Sequence, residues 1–351
     1  MTKLPVFFRR AGKNLANIAR RIPSILLANL LVTRRCTQRC LQCTIPDGAG
    51  DDSFMPFDTF AALVDCLDRH GTHFISISGG EPLLHPDLPD MIRLTAGKRF
   101  LYLQLLTNLY GAEDARDRII DVLFETGTGI QVSFDGFGEV ADRLRGADEV
   151  AARVMSGINL IDRENKKRRQ RIRTSLNIVL SKLNLGQVPD LVEFAESLGW
   201  KMNVDLYRCS SETHRGVDML LIDDLEALDR AIEHIRRSPS VTTPRMILDG
   251  YRRFLEGTHP KRCPYLECPS FVTKVFIWPD GETTVCINGT IGNLLTMTPG
   301  EIFSSETWRR RVDLMKHCPG CWNTCYTPSA ITFHPQSRAD MRVLWEILKK
   351  R

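Results

Sequence analysis

Polar and apolar positions follow a regular succession from about residue 25 to about residue 208. Short runs rich in β-branched and large apolar residues fall at Leu26–Thr33, His73–Ser78, Leu101–Thr107, Gly129–Asp135, Arg173–Leu180 and Met202–Arg208. They predict strands. Between them, apolar residues recur at helical spacing. Phe60, Leu63, Val64 and Leu67 share one face, with Asp58 as a candidate cap and Gly71 as a stop. Glu149 to Arg163 and Val188 to Leu198 read the same way. Six βα units in series predict a parallel sheet with right-handed crossovers, short of the eight units of a closed barrel. The expected fold is α/β, a partial (β/α)6 TIM-like barrel. Its functional loops should gather at the C-terminal ends of the strands.

Past the sixth unit the pattern changes. Leu220 to Arg237 and Arg245 to Glu256 predict two linking helices. Val272 to Trp278 and Glu282 to Ile287 flank Pro279-Asp280-Gly281, a strong turn between two strands. A last helix is expected from about Arg338. The chain divides into a basic N-terminal extension (1–24), the barrel (25–215), the linking helices (216–262) and a small C-terminal domain (263–351).

The start of the chain combines Lys3, Arg9, Arg10, Lys13, Arg20 and Arg21 with a following apolar run, Ile25 to Val32. That run is too short to span a bilayer and contains Asn29. It leads into Thr33-Arg34-Arg35 without a small-residue cleavage site, so it reads as a buried first strand. Phe7, Phe8, Leu15 and Ile18 beside the basic residues make an amphipathic helix. Such a helix suits peripheral contact with an anionic membrane, and equally suits packing on the barrel.

Hydrophobic content of 43% and charged content of 25% are those of an ordinary globular protein. The net charge of +5 permits an acidic partner without demanding one. The densest basic run is Lys166-Lys167-Arg168-Arg169 with Arg171 and Arg173. It reads as a solvated helix end or as a surface for a phosphate-bearing or acidic partner. The eleven cysteines change the picture more. They cluster tightly, as metal ligands do, and this points to a reducing, cytoplasmic setting.

Cys36, Cys40 and Cys43 form C-x3-C-x2-C in the loop after the first strand. Three thiolates can hold three irons of a [4Fe–4S] cube and leave the fourth open. On spacing alone, a zinc site with a distant fourth ligand serves equally well. The next strand ends in Ser78-Gly79-Gly80-Glu81-Pro82. The glycines allow close backbone approach to a ligand, and Glu81 offers a carboxylate to an ammonium group.

Together the cysteine triad and Gly79-Gly80-Glu81-Pro82 resemble the radical S-adenosylmethionine (SAM) superfamily. The resemblance implies a partial barrel and SAM bound to the open iron. One electron would cleave SAM to methionine and a 5′-deoxyadenosyl radical, which takes a hydrogen atom from an organic substrate. Many members carry an aromatic residue just before the third cysteine, where this chain has Gln42. Ser133 and Asp135 at the end of the fourth strand match family positions near the SAM ribose or the substrate. Arg145, in Asp142-Arg143-Leu144-Arg145-Gly146, matches an arginine that contacts SAM. Thr107-Asn108 ends the third strand where relatives often read Thr-Asn-Gly, with Leu109 in place of the glycine. Each of these segments read alone is also an ordinary turn. The likeness covers roughly residues 26–208.

Cys268-x12-Gly281-x4-Cys286 and Cys318-x2-Cys321-x3-Cys325 read alone favour structural zinc. Beside the barrel they resemble the opening of a SPASM or twitch auxiliary domain. The resemblance implies one auxiliary [4Fe–4S] cluster on Cys268, Cys286, Cys318 and Cys321. Cys263 or Cys325 stand as substitutes, or as ligands of a second cluster. Cys66 and Cys209 read as packing residues. The expected partners are a peptide or other organic substrate and a one-electron reductant such as flavodoxin or ferredoxin. No nucleic acid is expected. Peptide modification leads, with a carbohydrate-like or lipid substrate as the alternative and a zinc-stabilised nucleic-acid-binding module as the remote one. No general acid or base is identifiable in the sequence.

Overall fold

Six strands form where the apolar runs place them. In the computed structural model they are β1 Ser24–Leu31, β2 Phe74–Ser78, β3 Tyr102–Thr107, β4 Gly129–Ser133, β5 Thr174–Leu180 and β6 Lys201–Leu206. The structure describes residues 17, 22–48, 54–207, 216–257, 272–285, 289–316 and 322. The helix expected from Arg338 lies outside these residues. So do Cys209, Cys263, Cys268, Cys286, Cys318, Cys321, Cys325 and most of the N-terminal extension.

The six strands pair in parallel and in chain order, as an unclosed row. The connecting helices are α1 Phe57–His70, α2 Leu88–Ala96, α3 Glu113–Thr126, α4 Gly138–Arg145, α5 Val150–Lys167 and α6 Val188–Leu198. Strand residues of one parity, among them Leu30, Ile75, Ile77, Leu105, Val132 and Ile178, pack with Phe60, Leu67, Leu123 and Ile158 in a single core. Each such buried side chain contributes about 1.5–3 kcal/mol. Residues of the other parity face the interior of the curved sheet, because side chains alternate along a strand. That wall is polar. Asn29 stands beside Ser76, Ser76 beside Gln104, Ser133 beside Asn177, and Asn177 beside Asn203. Gln104 donates to the Ser76 hydroxyl at 2.9 Å, and the Asn203 amide donates to Asn177 Oδ1 at 2.7 Å.

Two local expectations change. Asp58 does not cap α1. Pro56 is the N-cap and makes no side-chain bond, while Asp58 sits in the first turn. Gly71 does end the helix, at φ +86°. At the start of α5, Glu149 is left-handed at φ +52°. The cap is supplied from α4 instead: the Asp142 carboxylate accepts from the Glu149 and Val150 N–H groups at 3.1 and 2.7 Å. The helix runs on to Lys167, so the basic run becomes its solvated end. Lys166 pairs with Asp162, and Arg168 with Asp121 and Glu164.

The linking helices are α7 Leu225–Arg237 and α8 Arg245–Leu255. The expected hairpin forms from β7 Val272–Ile277 and β8 Glu282–Val285, followed by β9 Gly289–Asn293 and helices α9 Pro299–Ser304 and α10 Glu306–Lys316. Its place is the new finding. β7 pairs in parallel with β1, from Ser24 opposite Val272 to Leu30 opposite Ile277. The nine strands among the described residues therefore belong to one sheet, ordered β6-β5-β4-β3-β2-β1-β7-β8-β9. Arg34, just past β1, stacks its guanidinium 3.7 Å over the Trp278 ring at the hairpin turn. Trp322, the residue after Cys321, is buried against α8 and donates its indole N–H to the Ile247 carbonyl at 2.8 Å. Among the described residues no helix is long and apolar enough to cross a membrane.

Candidate functional site

The loop after β1 carries Cys36, Cys40 and Cys43 to the C-terminal edge of the sheet, and the ends of β2, β3 and β4 close around it. Backbone contact from the β2 loop fixes its base. Gly80 N–H donates to the Thr33 carbonyl and Glu81 N–H to the Arg35 carbonyl, each at 2.8 Å. A Cβ on Gly79 would lie 2.5 Å from Thr33 O, and one on Gly80 2.7 Å from Arg34 O. The glycines thus let two backbones meet. Their close approach is to the cysteine loop itself. On the far side, Arg39 and Leu41 N–H donate to the carbonyls of Arg145 and Leu144 at 3.0 Å. Gly146, at φ +58°, leaves no room for a Cβ beside the Arg39 carbonyl.

Glu81 follows the glycine pair at the end of β2. It is fully buried, and its carboxylate is committed to the protein. It accepts from Leu83 N–H at 3.0 Å, from the Thr107 hydroxyl at 2.6 Å and from Asn108 N–H at 2.7 Å. Burial pushes its pKa up to about 7, against the pull of those bonds. Its role in this arrangement is to bind the β2 and β3 loops together. Pro82 opens the short turn Pro82–Leu84 that follows. Asn108, so held, points its amide at the triad, 3.6 Å from Cys36 Sγ and 3.3 Å from the Thr37 hydroxyl. Leu109 beside it adopts φ +55°, the conformation that a glycine would take without strain.

Asp135 and Arg145 are also turned inward. Asp135 Oδ2 pairs with Arg145 at 2.6 Å, and Asp135 Oδ1 accepts from Val179 N–H at 2.8 Å. Arg145 Nη1 lies 4.0 Å from Cys40 Sγ. Burial works against the Arg145 charge, but Asp135 and Cys40 more than offset it, so its pKa is raised. Ser133 is half-buried on the interior wall. The structure brings Asn108 and Arg145 to the cysteines. The carboxylates of Glu81 and Asp135 are held by hydrogen bonds and an ion pair within the protein.

Burial raises the thiol pKa values, to about 12 for Cys36 and about 11 for Cys43, and raises that of Cys40 against the attraction of Arg145. The metal-free triad is therefore a set of neutral thiols, and metal binding must displace their protons. Among the described residues, no three His, Cys, Asp or Glu side chains converge to hold a single metal ion.

Three buried side-chain atoms around the loop have no hydrogen-bond partner among the described residues: Gln38 Nε2, Gln42 Oε1 and Arg145 Nε. Each costs about 1–3 kcal/mol if left unmet. Sequence spacing singled out neither Gln38 nor any contact for Gln42. Their only signal was position, between the cysteines. Two donors beside thiolates, and one acceptor nearby, fit an anionic iron–sulfur cluster with an amine-bearing ligand.

Residues 30–195 match the profile of the Radical SAM superfamily. The PqqA peptide cyclase of Gluconobacter oxydans is 28% identical over 180 residues, 50% of this chain and 47% of that protein. Mycofactocin maturase MftC of Mycobacterium ulcerans is 24% identical over 189 residues, 54% of this chain and 48% of that protein. The chain spans about half the length of these curated relatives. Streptococcus suis SuiB bound to S-adenosylmethionine shares the fold at a TM-score of 0.65 and 16% identity, over 92% of this chain and 79% of that one. SuiB is also known bound to the precursor peptide SuiA. The family uses SAM and a [4Fe–4S] cluster. With its cysteine loop on β1 of an unclosed parallel barrel, the chain carries a radical SAM domain over residues 30–195 and is similar there to radical SAM enzymes.

Proposed function

We propose that this chain modifies a peptide by radical chemistry. Cys36, Cys40 and Cys43 hold the [4Fe–4S] cluster that binds SAM, and the C-terminal cysteines hold an auxiliary cluster. The observation that carries the reading is the set of unmet polar atoms of Gln38, Gln42 and Arg145 gathered at the triad. Cluster and SAM supply hydrogen-atom abstraction when bound. The residues of the chain do the rest. Asn108 and Arg145 direct N–H groups at Cys36 and Cys40, which stabilises thiolate charge. Glu81 and Asp135 keep those two donors in place. Gly79 and Gly80 seat the loop.

A peptide is favoured by the relatives, two of which are named for peptide cyclisation or maturation. It is favoured also by the interior wall, where Asn, Gln and Ser side chains offer donors and acceptors suited to backbone amides. An apolar lipid would leave the remaining donors and acceptors of those side chains without partners. Cys268, Cys286, Cys318 and Cys321 are the proposed auxiliary ligands, with Cys263 and Cys325 in reserve. Electrons would come from a flavodoxin- or ferredoxin-like donor in the cytoplasm.

The test is iron and labile sulfide per chain after anaerobic reconstitution, for wild type and the Cys36/Cys40/Cys43→Ala triple variant. About eight irons falling to about four supports two clusters, one on the triad. About four falling to none removes the auxiliary cluster from the proposal. No loss of iron in the triple variant overturns the triad assignment.

A further inference from the structure

The basic run after α5 is only partly neutralised by its neighbours. Lys166 and Arg168 pair with carboxylates at the end of that helix. Arg171 and Arg173 do not. Among the described residues neither meets a carboxylate, and both line a cavity of about 260 Å³ at the N-terminal ends of β3, β4 and β5. The cysteine triad lies at the other end of the sheet, about 20 Å away along the six residues of β3. The backbone that carries the two arginines is fixed. Ile172 between them is buried in the core, and Asn165 of α5 brackets it, donating to the Ile172 carbonyl at 3.1 Å and accepting from its N–H at 2.9 Å. Positions 171 and 173 thus turn to the cavity together while Ile172 turns away from it. Arg173 is held further by the Tyr102 ring, with its guanidinium 5.1 Å from the ring centre.

The walls do not cancel this charge. No carboxylate lines the cavity. The C-terminal ends of α2 and α3 open there, each equivalent to about −0.5 of a charge, which leaves about one of the two positive charges over. The hydroxyls are already engaged. Thr95 donates to the Met91 carbonyl at 2.7 Å and Thr126 to the Val122 carbonyl at 2.8 Å, so Thr128, 2.7 Å from Thr126 Oγ1, gives its proton to Thr126. The two guanidiniums remain as the charged donors. A carboxylate fills one guanidinium fork with its two oxygens, whereas a phosphate has three terminal oxygens and can engage two forks. Beside them Phe100, Leu101 and Leu103 form an apolar wall, on which Leu101 is 40% exposed. We propose that this cavity binds a phosphate monoester of a small molecule with an apolar body. The phosphate sits on Arg171 and Arg173, and the body lies against Phe100, Leu101 and Leu103. The site is separate from the cysteine triad and does not depend on it.

The experiment is calorimetric titration of anaerobically reconstituted full-length protein with phenyl phosphate and with inorganic phosphate. Salt at about 0.15 M screens diffuse attraction. Wild type should bind phenyl phosphate about tenfold more tightly than inorganic phosphate, because only the ester has a ring to bury. Arg171→Gln and Arg173→Gln should each weaken binding of phenyl phosphate by about tenfold, the effect of one charge-assisted hydrogen bond. Both side chains are exposed, so the variants should keep the iron content and thermal midpoint of wild type. Arg169→Gln removes a charge from the same run but outside the cavity, and should leave binding unchanged. Arg173→Lys should fall between wild type and Arg173→Gln, since an ammonium keeps the charge and loses the fork. Equal losses from Arg169→Gln and Arg171→Gln reduce the effect to general charge and overturn the proposal. So does a wild type that binds no phenyl phosphate, or one that binds inorganic phosphate just as tightly.

Discussion

Asp135 and Arg145 form an ion pair 2.6 Å long with both side chains almost wholly withdrawn from solvent. Arg145 also acts on the sulfurs of Cys40 and Cys43 and on the Glu81 carboxylate, and Cys40 Sγ, 4.0 Å from its Nη1, is the sulfur it reaches by hydrogen bond. Breaking a buried pair from one side typically costs about 3–5 kcal/mol, because the remaining charge is stranded. Asp135→Asn should incur that loss in metal-free protein, where the Cys40 thiol is neutral. The loss should be smaller in cluster-loaded protein, where Cys40 is a thiolate. Anaerobic denaturant unfolding of both forms measures the difference, and equal losses would show that Cys40 gives Arg145 no compensation.

Gly80→Ala should dislodge the cysteine loop. The added methyl group meets the carbonyls of Arg34 and Arg35, which are backbone and cannot turn aside. A stability loss of about 1–3 kcal/mol is expected, together with lower iron occupancy at the triad. Gly186→Ala is the control, since a Cβ there meets nothing within 4 Å. Matching iron contents in the two variants would separate the glycine pair from loop placement.

Leu109 and Gly157 should be energetically coupled. Leu109 is buried and left-handed, and its Cδ2 lies 2.6 Å from where a Cβ on Gly157 of α5 would stand. Alanine in a helix gains about 1 kcal/mol over glycine, but the clash here opposes that gain. Gly157→Ala should therefore be neutral or harmful in wild type and stabilising in a Leu109→Ala background. A double-mutant cycle by thermal unfolding should give a coupling of about 1–2 kcal/mol. Simple additivity would mean that α5 shifts to accommodate the methyl group.

These features divide by how local their causes are. The strands were legible because each is a short apolar run bounded by turn residues, and each formed within two residues of its expected ends. The triad and Gly79-Gly80 were legible as a spaced motif. What Glu81 does was not, because its three donors come from Leu83, Thr107 and Asn108, and two of these lie on another strand's loop. Asp142 capping α5 from α4 was hidden for the same reason. So was β7, whose local pattern predicts a hairpin but says nothing of pairing with a strand nearly 250 residues earlier.

His85 should give the fold a dependence on mild acid. Its Nε2 lies 2.9 Å from the Met55 carbonyl, and its Nδ1 accepts from Asp87 N–H at 3.1 Å, so the neutral ring fits. Burial lowers its pKa, against the Met55 bond and the Asp87 charge. A lowered folded value means that its stabilisation is complete above the unfolded value of about 6.5 and is lost as pH falls through the folded value. The stability gap between wild type and His85→Gln should therefore shrink on going from pH 7.5 to about pH 5. A gap independent of pH would mean that the folded ring titrates as the unfolded one does, and is equally well held when charged.

Because β1 is flanked by β2 on one side and β7 on the other, its backbone is an interior strand only while the hairpin is present. Removing the chain from residue 258 onward would bare one whole side of Ser-Ile-Leu-Leu-Ala-Asn-Leu-Leu, with its N–H and C=O groups free to recruit a strand from another molecule. The first six βα units are thus not a detachable module. A truncated chain should be prone to self-association, and the sheet edge it exposes is the strand that carries Cys36, Cys40 and Cys43 on its following loop.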